Sequence, residues 1–97
     1  MAKPDKVLRW FVKASRASHG VRRIGSTVFC LASVAAGRLD GFYESDLWPW
    51  DIAAGMLLVT EAGGRISDLR GGPAAVGKSQ LIATNGKIHA ALVRVLA

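Results

Sequence analysis

The chain has 97 residues, 51% hydrophobic and 21% charged, with a net charge of +6 from 13 Lys and Arg against 7 Asp and Glu. That length accommodates a single small domain, residues 1–97, and excludes a second. A chain this short buries only about 60–65% of its unfolded surface, so so apolar a composition reads as a domain used to being covered on one side.

Pro4-Asp5 reads as a helix start, and Val7, Leu8, Phe11 and Val12 recur at helical spacing, so a basic leading helix is expected over residues 1–19. Val21 to Ile24 reads as a short strand. Gly25-Ser26-Thr27 then opens a second helix, with Ser26 as its N-cap and Gly37 just past its end. Val28, Phe29, Leu31, Ala32, Val34 and Ala35 make that helix apolar nearly all round, which predicts burial. Leu39 to Glu44 reads as a strand, with Phe42 and Tyr43 supplying β propensity. Pro49 suits the first turn of a third helix, because its missing N–H has no intrahelical acceptor there. That helix is expected to run to about Ala62, with Ile52, Met56 and Val59 on one face and Gly63-Gly64 stopping it. Arg65 to Leu69 and Gln80 to Thr84 read as two more strands around a Gly71-Gly72-Pro73 turn. Asn85 is expected to cap a last helix with Ile88, Leu92 and Val95 facing inward. The alternation predicts an α/β layer with helices packed on a mostly buried sheet.

Asp51 stands in the first turn of the third helix, where the positive end of the helix dipole favours an ionised carboxylate. Such a carboxylate on a rigid turn is a sound ligand for a hard cation such as Mg²⁺, and equally a plain helix-start residue. Glu44 closes a strand seven residues earlier, so both carboxylates can border one crevice beyond the strand ends; an exposed surface glutamate is the bland reading. Gly25-Ser26-Thr27 lets a ligand approach the backbone, and the N–H groups of a helix start favour an anion, although a glycine followed by a cap is common. His19 and His89 have no partner at ligand spacing and read as surface or partly packed residues. Trp48 and Trp50 read as core or loop anchors.

Seven of the 13 cations precede Ile24: Lys3, Lys6, Arg9, Lys13, Arg16, Arg22 and Arg23. They form a solvated basic face more readily than a nucleic-acid site, since aromatics for base stacking are few and no RNA-binding signature appears. The longest apolar stretch, Val28 to Ala36, is broken by Ser33 and far too short for a bilayer, so no membrane partner is expected. No secretory signal pattern is visible, and the lone Cys30 fits a reducing cytoplasm.

The stretches Gly20-Val-Arg-Arg-Ile-Gly-Ser26, Val34-Ala-Ala-Gly-Arg-Leu-Asp-Gly-Phe-Tyr-Glu44 and Pro49-Trp-Asp-Ile-Ala-Ala-Gly55, with Leu58-Val-Thr-Glu-Ala-Gly-Gly64 and Ile82-Ala-Thr-Asn85 in register, resemble the inositol monophosphatase family. The match covers residues 20–97 and extends to the leading helix. It looks most like the bacterial inositol-1-phosphatase branch. The resemblance implies the C-terminal layered α/β subdomain of that fold, with a mixed sheet and packed helices. It implies that Asp51 is a Mg²⁺ ligand lying near the substrate, that Glu44 binds a sugar hydroxyl, and that Gly25, Ser26 and Thr27 line the substrate pocket. It also implies Mg²⁺-dependent hydrolysis of inositol-1-phosphate or a related phosphomonoester by a metal-activated water, in a homodimer. The family's Glu-Glu pair and Asp-Pro-x-Asp-Gly-Thr/Ser motif, which carry its other metal ligands, do not occur here. Leu39-Asp40-Gly41 is a superficial echo. The chain is therefore expected to need an N-terminal half for activity, as a truncated product or half of a split protein. The alternatives are a non-catalytic oligomerisation or protein-interaction module that keeps the fold, and a basic RNA-binding domain.

Overall fold

The computed structural model describes residues 4–22, 24–75 and 80–97; Lys3 and Arg23 lie outside them. Helix α1 spans Pro4–Ala17, α2 Thr27–Ala35, strand β1 Gly41–Glu44, α3 Pro49–Glu61, β2 Arg65–Ser67, β3 Leu81–Thr84 and α4 His89–Leu96. β3 is the middle strand, with β1 on one side and β2 on the other. Phe42 pairs with Ala83 and Ile66 with the same Ala83 from the opposite edge. Both pairings are antiparallel, so among the described residues the sheet is not mixed as the resemblance implied.

Every residue of β3 is buried, and successive side chains of a strand point to opposite faces. Leu81 and Ala83 join Leu31, Val34, Ile52 and Val59 in a core beneath α2 and α3. Ile82 joins Trp10 and Leu96 in a second core beneath α1 and α4. The architecture is thus α/β in three layers: α2 and α3, the sheet, then α1 and α4. The two layers close differently. α2 and α3 meet at Gly55, where an added Cβ would lie 2.8 Å from Leu31 Cβ, so only glycine admits this approach. α1 and α4 meet through Trp10, which stands edge-on to Tyr43 at 6.4 Å between ring centroids, and through Lys13, whose ammonium donates to the Ala97 carbonyl at 2.6 Å.

Most boundaries follow local chemistry. The α3 C-terminus closes on Gly63, whose φ of +85° favours glycine, with its N–H donating to the Thr60 carbonyl at 3.0 Å. β2 stops at Ser67, short of the expected Leu69, because Asp68 starts a turn: its carboxylate accepts the N–H groups of Arg70 and Gly72 at 2.9 and 2.8 Å. Asn85 accepts the Lys87 N–H at 2.9 Å in a turn ahead of α4, and Ile88 takes the N-cap position expected of Asn85.

Three expectations fail, the Val21–Ile24 strand, the all-round burial of α2 and the inward face of α4, and α1 shows the same limit: spacing says neither whether a strand finds a neighbour nor which part of an apolar arc meets the core. Val21, Arg22 and Ile24 form no strand pairing; Arg22 and Ile24 are exposed, and nothing buries them as a sheet neighbour would. On α1 the buried residues are Trp10 and Ala14, while Val7, Leu8, Phe11 and Val12 face outward. α2 is buried on one side through Cys30, Leu31, Ser33 and Val34, leaving Val28 and Phe29 exposed. In α4 the fully inward residues are His89 and Leu96; Leu92 is partly buried in the second core, and Ile88 lies at the margin.

Ile52 is fully buried, whereas Leu57 on the same helix is 61% exposed. Ile52→Ala is expected to destabilise the chain by about 2–5 kcal/mol. Leu57→Ala is expected to stay within about 0.5 kcal/mol. Urea unfolding midpoints of the two variants check this contrast.

Candidate functional site

The α2 entrance is built by Gly25, Ser26 and Thr27. Gly25 has φ of +87°, a left-handed conformation that side chains rarely adopt, and it turns the chain into the helix. Ser26 is extended at φ −132° and ψ 112°; its hydroxyl oxygen accepts the Phe29 N–H at 3.3 Å and its carbonyl accepts the Cys30 N–H at 3.0 Å. The expected N-cap is therefore observed. Thr27 begins the helix proper and is half-buried.

Glu44 ends β1, half-buried, and one carboxylate oxygen accepts the N–H of Ser45 at 3.0 Å. Burial first, and the Glu44 charge second, push the Cys30 thiol up from its ordinary range. The same pair of causes pushes up the Tyr43 hydroxyl. Glu44 thus lies within electrostatic reach of Cys30, one turn into α2.

The chain then passes through Asp46, whose φ is 59°, and enters α3. Asp51 occupies the third helical position. Its carboxylate accepts the Trp48 N–H at 3.0 Å, while its own N–H donates to the Trp48 carbonyl at 2.9 Å. Asp51 is thus a capping residue of the helix start, with one oxygen held by the backbone. Trp48 and Trp50 are not core anchors: both are exposed and their rings stack, 5.2 Å between centroids and 2° between planes.

Among the described residues, no group of three or more His, Cys, Asp and Glu side chains comes together to hold a metal ion. Mg²⁺ keeps octahedral geometry and dehydrates reluctantly, so a single carboxylate does not hold it alone. The site residues of this chain do not form a Mg²⁺ centre by themselves.

His89, read from spacing as a surface or partly packed residue, is instead held in the interior at both ring nitrogens. His89 is fully buried; Nε2 lies 2.7 Å from Ser67 Oγ and Nδ1 lies 2.9 Å from Thr84 Oγ1. Proton bookkeeping fixes its tautomer. The Ser67 hydroxyl donates to the Asp68 carbonyl at 2.7 Å, so Ser67 Oγ accepts from Nε2–H. Thr84 Oγ1 accepts the Gly86 N–H at 3.0 Å and gives its own hydrogen to Nδ1. Burial first, then the Arg65 charge, holds His89 below its ordinary range. One partner lies 22 residues away in sequence, so no local pattern marks the contact.

The family model described as the inositol monophosphatase family matches residues 3–97, and the chain belongs to that family. It is 51% identical over 77 residues to the inositol-1-monophosphatase of Mesorhizobium japonicum, covering 79% of this chain and 29% of that protein. It is 42% identical over 92 residues to the Nus factor SuhB of Pseudomonas aeruginosa, covering 95% of this chain and 34% of that protein. Its fold matches the crystal structure of the extragenic suppressor protein suhB of Bartonella henselae with a TM-score of 0.91 at 42% identity, over 95% of this chain and 36% of that one. The chain thus spans about a third of the length of these relatives.

The neutral, single-tautomer His89 makes stability depend on pH. Its folded pKa lies below the value of about 6.5 in an unfolded chain. Above that value neither state binds the proton; below it the unfolded chain takes it up first. Stability is therefore expected to be intact above about pH 6.5 and to fall beneath it by as much as about 1.4 kcal/mol per pH unit from this group. Urea unfolding of the wild type and of His89→Gln between mildly alkaline and mildly acid pH checks it. The variant should be less stable throughout and lose this part of the slope.

Proposed function

We propose that the chain is the C-terminal part of a Mg²⁺-dependent phosphomonoesterase acting on inositol-1-phosphate or a related sugar phosphate, and that it works with an N-terminal portion carrying the remaining metal ligands. The observation that carries this reading is the Pro49-Trp50-Asp51 helix start, with a carboxylate fixed by a backbone N–H, in a chain whose family match runs from residue 3 to 97. In this reading Asp51 contributes one ligand to the shared metal site. Glu44 orients a substrate hydroxyl, and the Gly25-Ser26-Thr27 entrance lines the pocket, where the first N–H groups of α2 favour an anion. Among the described residues no helix is long and apolar enough to cross a membrane. The lone buried Cys30, with its thiol pKa raised, suits a reducing cytoplasm.

A second reading rests on the relatives named Nus factor SuhB in Pseudomonas aeruginosa and Salmonella typhimurium. It takes the chain as a non-catalytic interaction module that keeps the fold. The two part on an activity measurement. The chain alone should release no phosphate from inositol-1-phosphate above background, and adding an N-terminal portion from a close relative should produce Mg²⁺-dependent turnover. Asp51→Asn should then lower kcat/KM on the order of a hundredfold or more, as expected when several kcal/mol of metal stabilisation are lost. Glu44→Gln should act more mildly and mainly on the preference among sugar phosphates. Turnover by the isolated chain that survives Asp51→Asn would overturn these roles.

A further inference from the structure

The helices are not attached to the sheet in the same way. α1 reaches it through Trp10, which meets Ile82 and Tyr43, and otherwise packs chiefly on α4. Trp10 and Leu96 share a core, and the Lys13 ammonium donates to the Ala97 carbonyl, so the far end of α4 is where α1 is held. α4 is in turn fastened at its first residue. His89 joins β2 through Ser67 at 2.7 Å and β3 through Thr84 at 2.9 Å. Attachment on this side therefore runs in series, from α1 to α4, from α4 to His89, and from His89 to the two strands. On the other side, α2 and α3 share with Leu81 and Ala83 a core that, among the described residues, takes nothing from α1 or α4.

The hydrogen bonds at His89 admit one protonation state. Nε2–H donates to Ser67, and Nδ1 accepts from Thr84, whose oxygen is already taken by the Gly86 N–H. A proton on Nδ1 would meet the Thr84 hydroxyl hydrogen head-on, on a ring that is fully buried. The charges around the ring do not offset that proton. β2 contributes Arg65, whose charge opposes it, and β3 carries no charged residue. α4 carries Arg94, and the turn before it Lys87. The Asp68 carboxylate, just past β2, accepts the N–H groups of Arg70 and Gly72. α1, packed on α4, brings Lys6, Arg9, Lys13 and Arg16 against Asp5. Once α4 lifts away, the imidazole meets water and takes up a proton at its ordinary value of about 6.5.

We propose that His89 is a proton-sensitive latch: its protonation releases α4 from β2 and β3, and α1 leaves with α4 as one unit while α2 and α3 stay packed on the sheet. Opening bares Ile82 to water, so the open form is a minor state that the chain visits transiently. The inference is independent of the phosphatase reading, since it uses none of the residues assigned to metal or substrate.

Native-state hydrogen exchange of the 97-residue chain, read at about pH 7.5 and about pH 5.5 and corrected for intrinsic exchange rates, tests it. The slowest amides of α1 and of α4 should share one opening equilibrium, and should open at least about tenfold more often than the slowest amides of α2 and α3. Their opening should become about tenfold more frequent at the lower pH, because only the open form gains the proton just below about pH 6.5. In His89→Gln, α1 should open more often at both pH values although it holds no atom of the latch, and the pH step should vanish from both helices. Equal protection of all four helices would overturn the proposal, as would α1 and α4 opening at different levels. So would a wild type without the pH step, or a folded His89→Gln that keeps it. The wild-type pattern decides even where the variant does not fold.

Discussion

Everything in this fold turns on one four-residue strand with water on neither face. Leu81 and Ala83 face α2 and α3, and Ile82 faces α1 and α4, so helices must cover both sides for β3 to be stable at all. Thr84 brings a hydroxyl into the same dry environment, where an unpaired polar group costs about 1–3 kcal/mol. The solution is a directional chain of hydrogen bonds from the Gly86 N–H through Thr84 to His89, then through Ser67 to the Asp68 carbonyl. It joins β2, β3 and α4. Each member has one donor and one acceptor role, so an imidazolium would leave a hydroxyl hydrogen without its acceptor. His89 is held neutral by this arrangement as well as by burial.

The two helical layers meet the sheet with different chemistry. α2 and α3 close through glycine and aliphatic contact at Gly55 and Leu31. α1 is held through Trp10 and a lysine-to-carbonyl bond, and its inner surface is narrower than its apolar arc. Neither core receives all of the large apolar residues, in a chain that spans about a third of its relatives' length. The surplus goes to the outer surfaces of both layers, with the cations concentrated on one of them and the helix carboxylates of α3 on the other.

Features governed by neighbours in sequence were readable from it. Ser26 as N-cap, Pro49 at the start of α3 and the Gly63-Gly64 stop are all present, because each depends on backbone groups within a few residues. The outward turn of the α1 stripe was not readable: Val7, Leu8, Phe11 and Val12 share one apolar arc with Trp10 and Ala14, and only the position of α4 decides which part is covered. The strand expected at Val21 to Ile24 has suitable propensity but no described strand beside it. His89 has the most determined surroundings of any polar side chain described, and it was indistinguishable from a surface histidine because Ser67 is remote in sequence. For the site, residue identities came from the resemblance; spacing alone left Asp51 open between chemistry and a plain helix start, and Glu44 between chemistry and an exposed surface.

That balance at Asp51 resolves differently once the helix start is seen. A capping role and a ligand role compete for a carboxylate only if they need the same oxygen. Here the Trp48 N–H engages one oxygen and, with the return bond from the Asp51 N–H to the Trp48 carbonyl, fixes the side-chain rotamer. A carboxylate already locked loses little conformational entropy on ligation, and a hydrogen bond to one oxygen orients the other. The helix start also places positive backbone potential behind the carboxylate. On the proposed reading, the cap is therefore what would make a single carboxylate from this chain useful to a metal site completed elsewhere. The same cap explains why the helix can form whether or not that site is assembled.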